Sequence, residues 1–394
     1  MANDNMTQQE QRMVRSPMSD TSRDREPVRR ARTPVETGWL IMREKDEHAT
    51  CRQVRRLSWS GRLWLVAKVA RDTWTLAGNF WYDFVRVWKY SSAIWTGNSQ
   101  AKLAALVTMA AHGIEKGLSL PAPRPGFGRE LIELLLCRLE RYLVLFGPDR
   151  VTRAAVDALR AYRDFHAGRG ISDPALETRL ARLECVCDSA EKDRGLKLGG
   201  VAVIRREQFL EDARIDLTRF FASRHSVREF SDHPVNIGDI EAAVRLAMYT
   251  PSCCNRQAAR VWLVQERDRI QGVLTIQEGA RGFKEQVPMV LVVTADLACF
   301  QSAGERYQAW IDGGLFAMSL VWALHSRGLV SCMLNWSKRK EKDRELRAYL
   351  GIPQSENIVV LIAVGHPPPT WRVAVSARRP LCEVLRVDEG RDGA

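Results

Sequence analysis

Several things are missing from this chain of 394 residues, and each absence closes a door. No uncharged apolar run approaches the roughly 18 residues needed to cross a bilayer. The first residues are polar and charged, unlike the apolar core of a secretory leader. The nine cysteines contain no CxxC pair; Cys185 and Cys187 are two apart and Cys253 and Cys254 are adjacent, neither of which is a zinc-ligand spacing. An odd, irregular set of thiols fits a reducing compartment, and the chain is expected to be cytoplasmic. No metal cluster, catalytic triad or internal repeat stands out. Net charge is +12, which permits contact with phosphates, nucleic acid or anionic membranes. The basic residues are scattered, however, and no zinc finger or RNA-binding signature accompanies them, so a nucleic-acid partner is not expected.

What is present falls into four stretches. Residues 1–50 are polar and charged, with too little apolar surface to offset ordering entropy, and are expected to be disordered. Residues 54–96 read as a Trp-rich basic amphipathic helix. Trp74, Trp81, Trp88 and Trp95 recur every seven residues, nearly two helical turns, and so form one slowly drifting stripe. The stripe is either the buried face of a helix packed on the body of the protein or a face for an anionic membrane or a partner.

Residues 100–200 read as an all-helical module, with helices expected over 101–112, 129–146, 151–167 and 173–192. His112 and Glu115 lie three apart, where they share a helix face as an acid/base pair or mark an ordinary helix end before Gly117. From residue 205 to about 390 the pattern is mixed. Helices are expected over 240–248 and 311–325. Strands are expected over 261–264, 289–294, 358–364 and 381–387, with 330–334 a strand or a loop.

The polar residues of this last stretch form an ordered series. Arg224, Ser226 and Arg228 alternate, so on an extended segment they point one way, and two guanidiniums with a hydroxyl suit a phosphate. Then come Pro251-Ser252-Cys253-Cys254-Asn255-Arg256-Gln257, Asp312-Gly313-Gly314, Gly328-Leu329-Val330-Ser331-Cys332, Val364-Gly365-His366-Pro367 and Arg378 two before Pro380. In this order and spacing they resemble the FMN-dependent nitroreductase family over about residues 215–388.

The resemblance implies an α+β fold, a mixed and mostly antiparallel sheet flanked by helices, here carrying an atypical helical N-terminal extension. It implies an NAD(P)H oxidoreductase that holds FMN at the interface of a homodimer. Hydride would pass to flavin N5 and on to a small-molecule acceptor in ping-pong fashion. Arg224, His225, Ser226 and Arg228 would hold the phosphate, ribityl chain or ring edge. Ser252, Asn255 and Gln257 would reach the flavin from the other subunit. Ser331, Cys332 and Met333 would place backbone donors near N5, and Arg378 would bind the phosphate. Two departures accompany this. Ala258 and Ala259 stand where the family usually has Pro and a bulky residue, and the segment Gly279–Pro288 is short, so a lid is expected from 300–310. The alternative is a catalytically silent binding protein of the same fold.

Overall fold

A computed structural model describes residues 59–92, 97, 99–188, 197–212, 214–374, 376 and 378–388. The tail 1–50, Trp95 and the expected helical residues 189–192 lie outside the described residues. The chain divides into two units, Met1–Thr75 and Leu76–Ala394.

Four strands form one sheet: β1 (Ala259–Val264), β2 (Met289–Asp296), β3 (Val330–Asn335) and β4 (Glu356–Gly365), in the order β1-β2-β4-β3. All three pairings are antiparallel. The sheet is therefore antiparallel throughout; one isolated parallel bridge, Ser226 with Ser331, lies beside the β3 edge outside the four strands. Every residue of β2 is buried, as expected of an apolar run too rich in β-branched residues to show alternation.

Both faces are covered by helices. Val290, Val292, Leu361 and Ala363 point to one core, with Ile270 and Leu274 of α9 (Arg267–Gln277) and Leu346 of α11 (Lys340–Leu350). Leu291, Val293, Val360, Ile362 and Val364 point to the other, with Ile240 and Ala243 of α8 (Ile237–Ala247) and Leu320 and Leu324 of α10 (Gln308–Ser326). The register slips between Val293 and Thr294, leaving Val359 as an extra residue on β4. Gly313 of α10 sits against that bulge: a Cβ there would lie 2.6 Å from a Val359 methyl.

The segment 381–387 departs from the expected strand. Leu381–Val384 is a short helix, α12, and 385–388 joins no sheet. Leu381, Val384 and Leu385 have helical spacing. Leu385 N–H bonds to Leu381 O at 2.8 Å, and Arg379 pairs with Glu383 at 3.0 Å. The amphipathic α9 and the strongly charged α11 were not evident from the sequence.

N-terminal to the sheet, α2 (Gln100–Leu118), α3 (Arg129–Phe146), α4 (Arg150–Ala167) and α5 (Pro174–Asp188) share a core built on Leu103, Ile114, Leu135, Leu139, Leu159 and Leu180. Asp149 caps α4 with a reciprocal capping box. Short helices α6 (Arg206–Asp212) and α7 (Leu217–Ser223) lead to the sheet. One end of α2 also packs on the sheet side: Ala105 shares a cluster with Ala258, Ala295, Leu297 and Phe300.

Helix α1 covers Trp59–Tyr90, and its residues 76–90 belong to the second unit. There the polar side docks. Tyr82 O–H donates to Asp343 at 2.9 Å, and Asn79 Oδ1 caps α11 by accepting from Lys340 N–H at 3.1 Å. The buried Arg86 donates to the carbonyls of Gln354 and Glu356 at 3.0 and 2.6 Å. Trp81, Phe84 and Trp88 remain exposed, so the stripe is not the buried face that packing would require.

Candidate functional site

The candidate site begins where α7 ends. Asp216 caps that helix at its start, and Arg224 leaves it in an extended conformation. The chain then runs beside β3, with Val227 N–H donating to Ser331 O at 3.0 Å. Val227 and Phe230 are buried, Phe230 against Gly365, where a Cβ would lie 2.5 Å from the ring. The intervening polar residues are left partly or fully accessible: Arg224, His225 and Ser226 are half-buried, and Arg228 is exposed.

Arg224, His225 and Ser331 line a cavity of about 230 Å³ together with Ser223 and His325. Among the described residues, no Asp or Glu lines it. Ser223 Oγ and His325 Nε2 are 2.8 Å apart, and the Arg224 guanidinium stands 5.6 Å from the Trp322 ring centre. Burial, and next the neighbouring Arg224 charge, push the His325 pKa down, and Arg224 brings a permanent positive charge to the cavity.

A second cavity of about 560 Å³ lies between α8, α10 and β1, and Ser252 and Gln257 line it. Its walls are mainly apolar, including Ile240, Val244, Val261 and Phe316. The loop that carries these polar residues is strained. Cys254, Asn255 and Gln257 have φ of 50°, 53° and 50°, the left-handed region that non-glycine residues seldom enter. Three supports hold it. Arg256, fully buried at its side chain, forks onto Glu305 with contacts of 2.5 and 3.2 Å and donates to Cys253 O at 3.0 Å. Asp312 accepts from Cys253 N–H at 3.1 Å and is itself fixed by Gln308 at 2.8 Å. Ala258 is buried against Ala105 of α2, which explains a small residue after Gln257.

Burial opposes charge on both members of the Arg256–Glu305 pair, but their mutual hydrogen bonds outweigh it. The guanidinium is pushed up and the Glu305 carboxyl is held below the usual glutamate range. The 300–310 segment, expected as a lid, thus ties down the loop through Glu305. Burial pushes the Cys253 thiol up although Arg256 Nη2 lies 2.8 Å from its sulfur. Neither Arg256 with its partner Glu305 nor Asp312 was singled out as a site residue; Glu305 is 49 positions from Arg256, with no local signal to join them.

The remaining expected residues are dispersed. Ser226 meets Ser331 through the bridge. Cys332 points its side chain into the core, leaving only its backbone for a ligand, and Met333 is exposed on the edge strand. Asn255 is exposed on the strained loop. Arg378 is exposed and bonds to the nearby Ser376 O at 2.6 Å; it lines neither cavity. His112 and Glu115 are 3.5 Å apart on α2; Glu115 also accepts from Gly200 N–H at 2.9 Å, and neither residue lines these cavities.

The sequence model of the Nitroreductase family matches residues 221–278 and 273–366. A curated protein of Archaeoglobus fulgidus, provisionally named an NADH dehydrogenase/NAD(P)H nitroreductase, is 28% identical over 148 residues, 37% of this chain and 82% of its own. Among solved structures, a provisionally named nitroreductase of Desulfovibrio desulfuricans in complex with FMN is 19% identical. The alignment covers 44% of this chain and 96% of that one, with a TM-score of 0.37. A nitroreductase family protein of Streptococcus pneumoniae TIGR4 is also 19% identical, covering 44% and 100%, with a TM-score of 0.39. The part of the chain that holds Arg224, the strained loop and the sheet is thus similar to the Nitroreductase family over residues 221–366, and the helices before it lie outside the match.

Proposed function

We propose that this chain is an FMN-dependent oxidoreductase that takes hydride from NAD(P)H and passes electrons to a small organic acceptor, working in the cytoplasm as a homodimer. The observation that supports the reading is the cavity at Arg224, His225 and Ser331, which among the described residues is lined by a guanidinium and by no acid and therefore suits a phosphate-bearing group. When bound, FMN supplies the two-electron chemistry in two half-reactions, a ping-pong scheme, and the protein supplies position and charge.

Arg224, Ser226 and Arg228, with Arg378, are the residues assigned to the phosphate and ribityl chain. The peptide groups of Ser331, Cys332 and Met333 are the donors assigned to the ring, beside His225. Asn255 and Gln257, with Ser252, offer amides and a hydroxyl for the ring's alternating donors and acceptors. Ser252 and Gln257 open onto a different cavity from Arg224 in the same chain, which favours their serving the flavin held by a second copy. Residues 205–390 are the flavin-binding part in this reading, and helices 100–200 back the strained loop.

A second reading, a flavin-binding protein without turnover, draws on Ala258 and Ala259, which remove bulk beside the expected ring face. An anaerobic absorbance spectrum before and after NADH or NADPH separates the two. A flavin spectrum that bleaches supports the oxidoreductase. Bound flavin that neither donor bleaches supports the silent protein. A preparation that stays colourless after FMN addition and dialysis overturns both.

A further inference from the structure

An amphipathic helix normally buries its apolar face. The second-unit part of α1 does the reverse. Its polar side is clamped by Asn79, Tyr82 and Arg86, the last only 4% exposed. Its other side leaves Leu76, Phe80, Trp81, Phe84 and Trp88 between 53% and 65% exposed, with Trp81 and Phe84 stacked at 5.3 Å. An exposed, largely aromatic surface of this kind marks an interaction site. The clamp also fixes which way it faces, because swinging the helix round would strand a buried guanidinium.

We propose that this face, Leu76 to Trp88, seats the protein on an anionic lipid surface, with the helix lying in the plane of the headgroups. Two observations choose lipid as the occupant. The exposed side chains are mainly aromatic, and Trp, with an apolar ring and one N–H donor, settles where hydrocarbon meets water. The charge is complementary: Lys89 is exposed beside Trp88, and between Glu47 and Asp72 the sequence carries Arg52, Arg55, Arg56, Arg62, Lys68 and Arg71 with no acid. The contact is peripheral, since among the described residues no helix is long and apolar enough to cross a membrane.

The test is flotation of the full-length protein with vesicles of phosphatidylcholine alone or mixed with phosphatidylglycerol, following tryptophan emission. The protein is expected to float with the mixed vesicles, with a blue shift, and to be released by salt. A Trp81→Ser, Phe84→Ser, Trp88→Ser variant should partition about tenfold more weakly or worse, while a Trp81→Phe, Trp88→Phe variant keeps most of the binding. Circular dichroism of each variant verifies that it is folded. Two results would overturn the proposal. One is failure of the wild type to bind the mixed vesicles. The other is undiminished binding by a folded triple-serine variant. Light scattering without lipid adds a third: if the wild type self-associates through these residues, and the triple variant does not, while neither binds vesicles, the face belongs to a second copy of the chain.

Discussion

The two segments that carry most of the candidate site's polar side chains are built on opposite plans. Residues 224–228 have no left-handed backbone and lean on the sheet through main-chain bonds to Ser331. Residues 252–257 place three non-glycine residues in the left-handed region, at about 1–2 kcal/mol each, and are held by side chains from far along the sequence. A segment positioned by a sheet needs only its own sequence and a strand beside it. A strained loop needs a brace, and the brace is where its vulnerability lies.

Breaking the brace should give the largest effect. Glu305→Ala leaves the buried Arg256 guanidinium without its carboxylate, its remaining partners being Cys253 O and the Cys253 sulfur, and a loss of about 3 kcal/mol is expected in chemical denaturation. Glu305→Gln, which keeps an acceptor, should cost less. The sign with pH follows from the depressed carboxyl: its contribution is present above the ordinary glutamate value, near ~4.3, and is lost as pH falls through the lower folded value. A stability profile of Glu305→Gln should lack that acid limb. An Ala variant as stable as wild type would show that the pair does not brace the loop.

At the relaxed segment the balance reverses. Arg224→Ala should leave stability within about 0.5 kcal/mol, since the side chain is only half-buried. FMN affinity should fall by roughly 10-fold or more as a charge-assisted contact disappears. Equilibrium dialysis against FMN checks this, and unchanged affinity would move the phosphate away from Arg224.

The smallest effect sharpens the contrast within the loop. Asn255→Gly should raise stability by up to about 1 kcal/mol by relieving left-handed strain, whereas Asn255→Ala should lower it slightly. Both should weaken FMN retention, because both remove the amide. If only the alanine variant lost FMN, the backbone rather than the side chain would be what matters at this position.

These contrasts also explain what could be read in advance. The buried strands of MVLVVT and IVVLIAV announce themselves, because a strand covered on both faces must be apolar throughout. The alternation of Arg224, Ser226 and Arg228 is likewise visible locally, although of these three only Arg224 lines the 230 Å³ cavity. Glu305 was not legible, because nothing near it points to Arg256. Helix α11 is hard to read in advance because its sequence, KEKDRELRAYL, shows little apolar face; beside Leu346, its buried residues are Asp343 and Arg347, holding each other at 2.6 Å. The Trp stripe of α1 was found, but periodicity says only which residues share a face, not which face docks. That was decided by Tyr82 and Arg86, whose partners are more than 250 positions away. Leu381–Val387 was misjudged because β-branched content outweighed its helical spacing.

One juxtaposition ties the two plans together. Asp312 holds the strained loop through the Cys253 amide, and its neighbour Gly313 rests against the bulge of β4. Loop and sheet are therefore indexed from consecutive residues on one helical turn, like two pointers on a single shaft. A change at the bulge, remote from any ligand, would reset the angle at which Asn255 and Gln257 are offered.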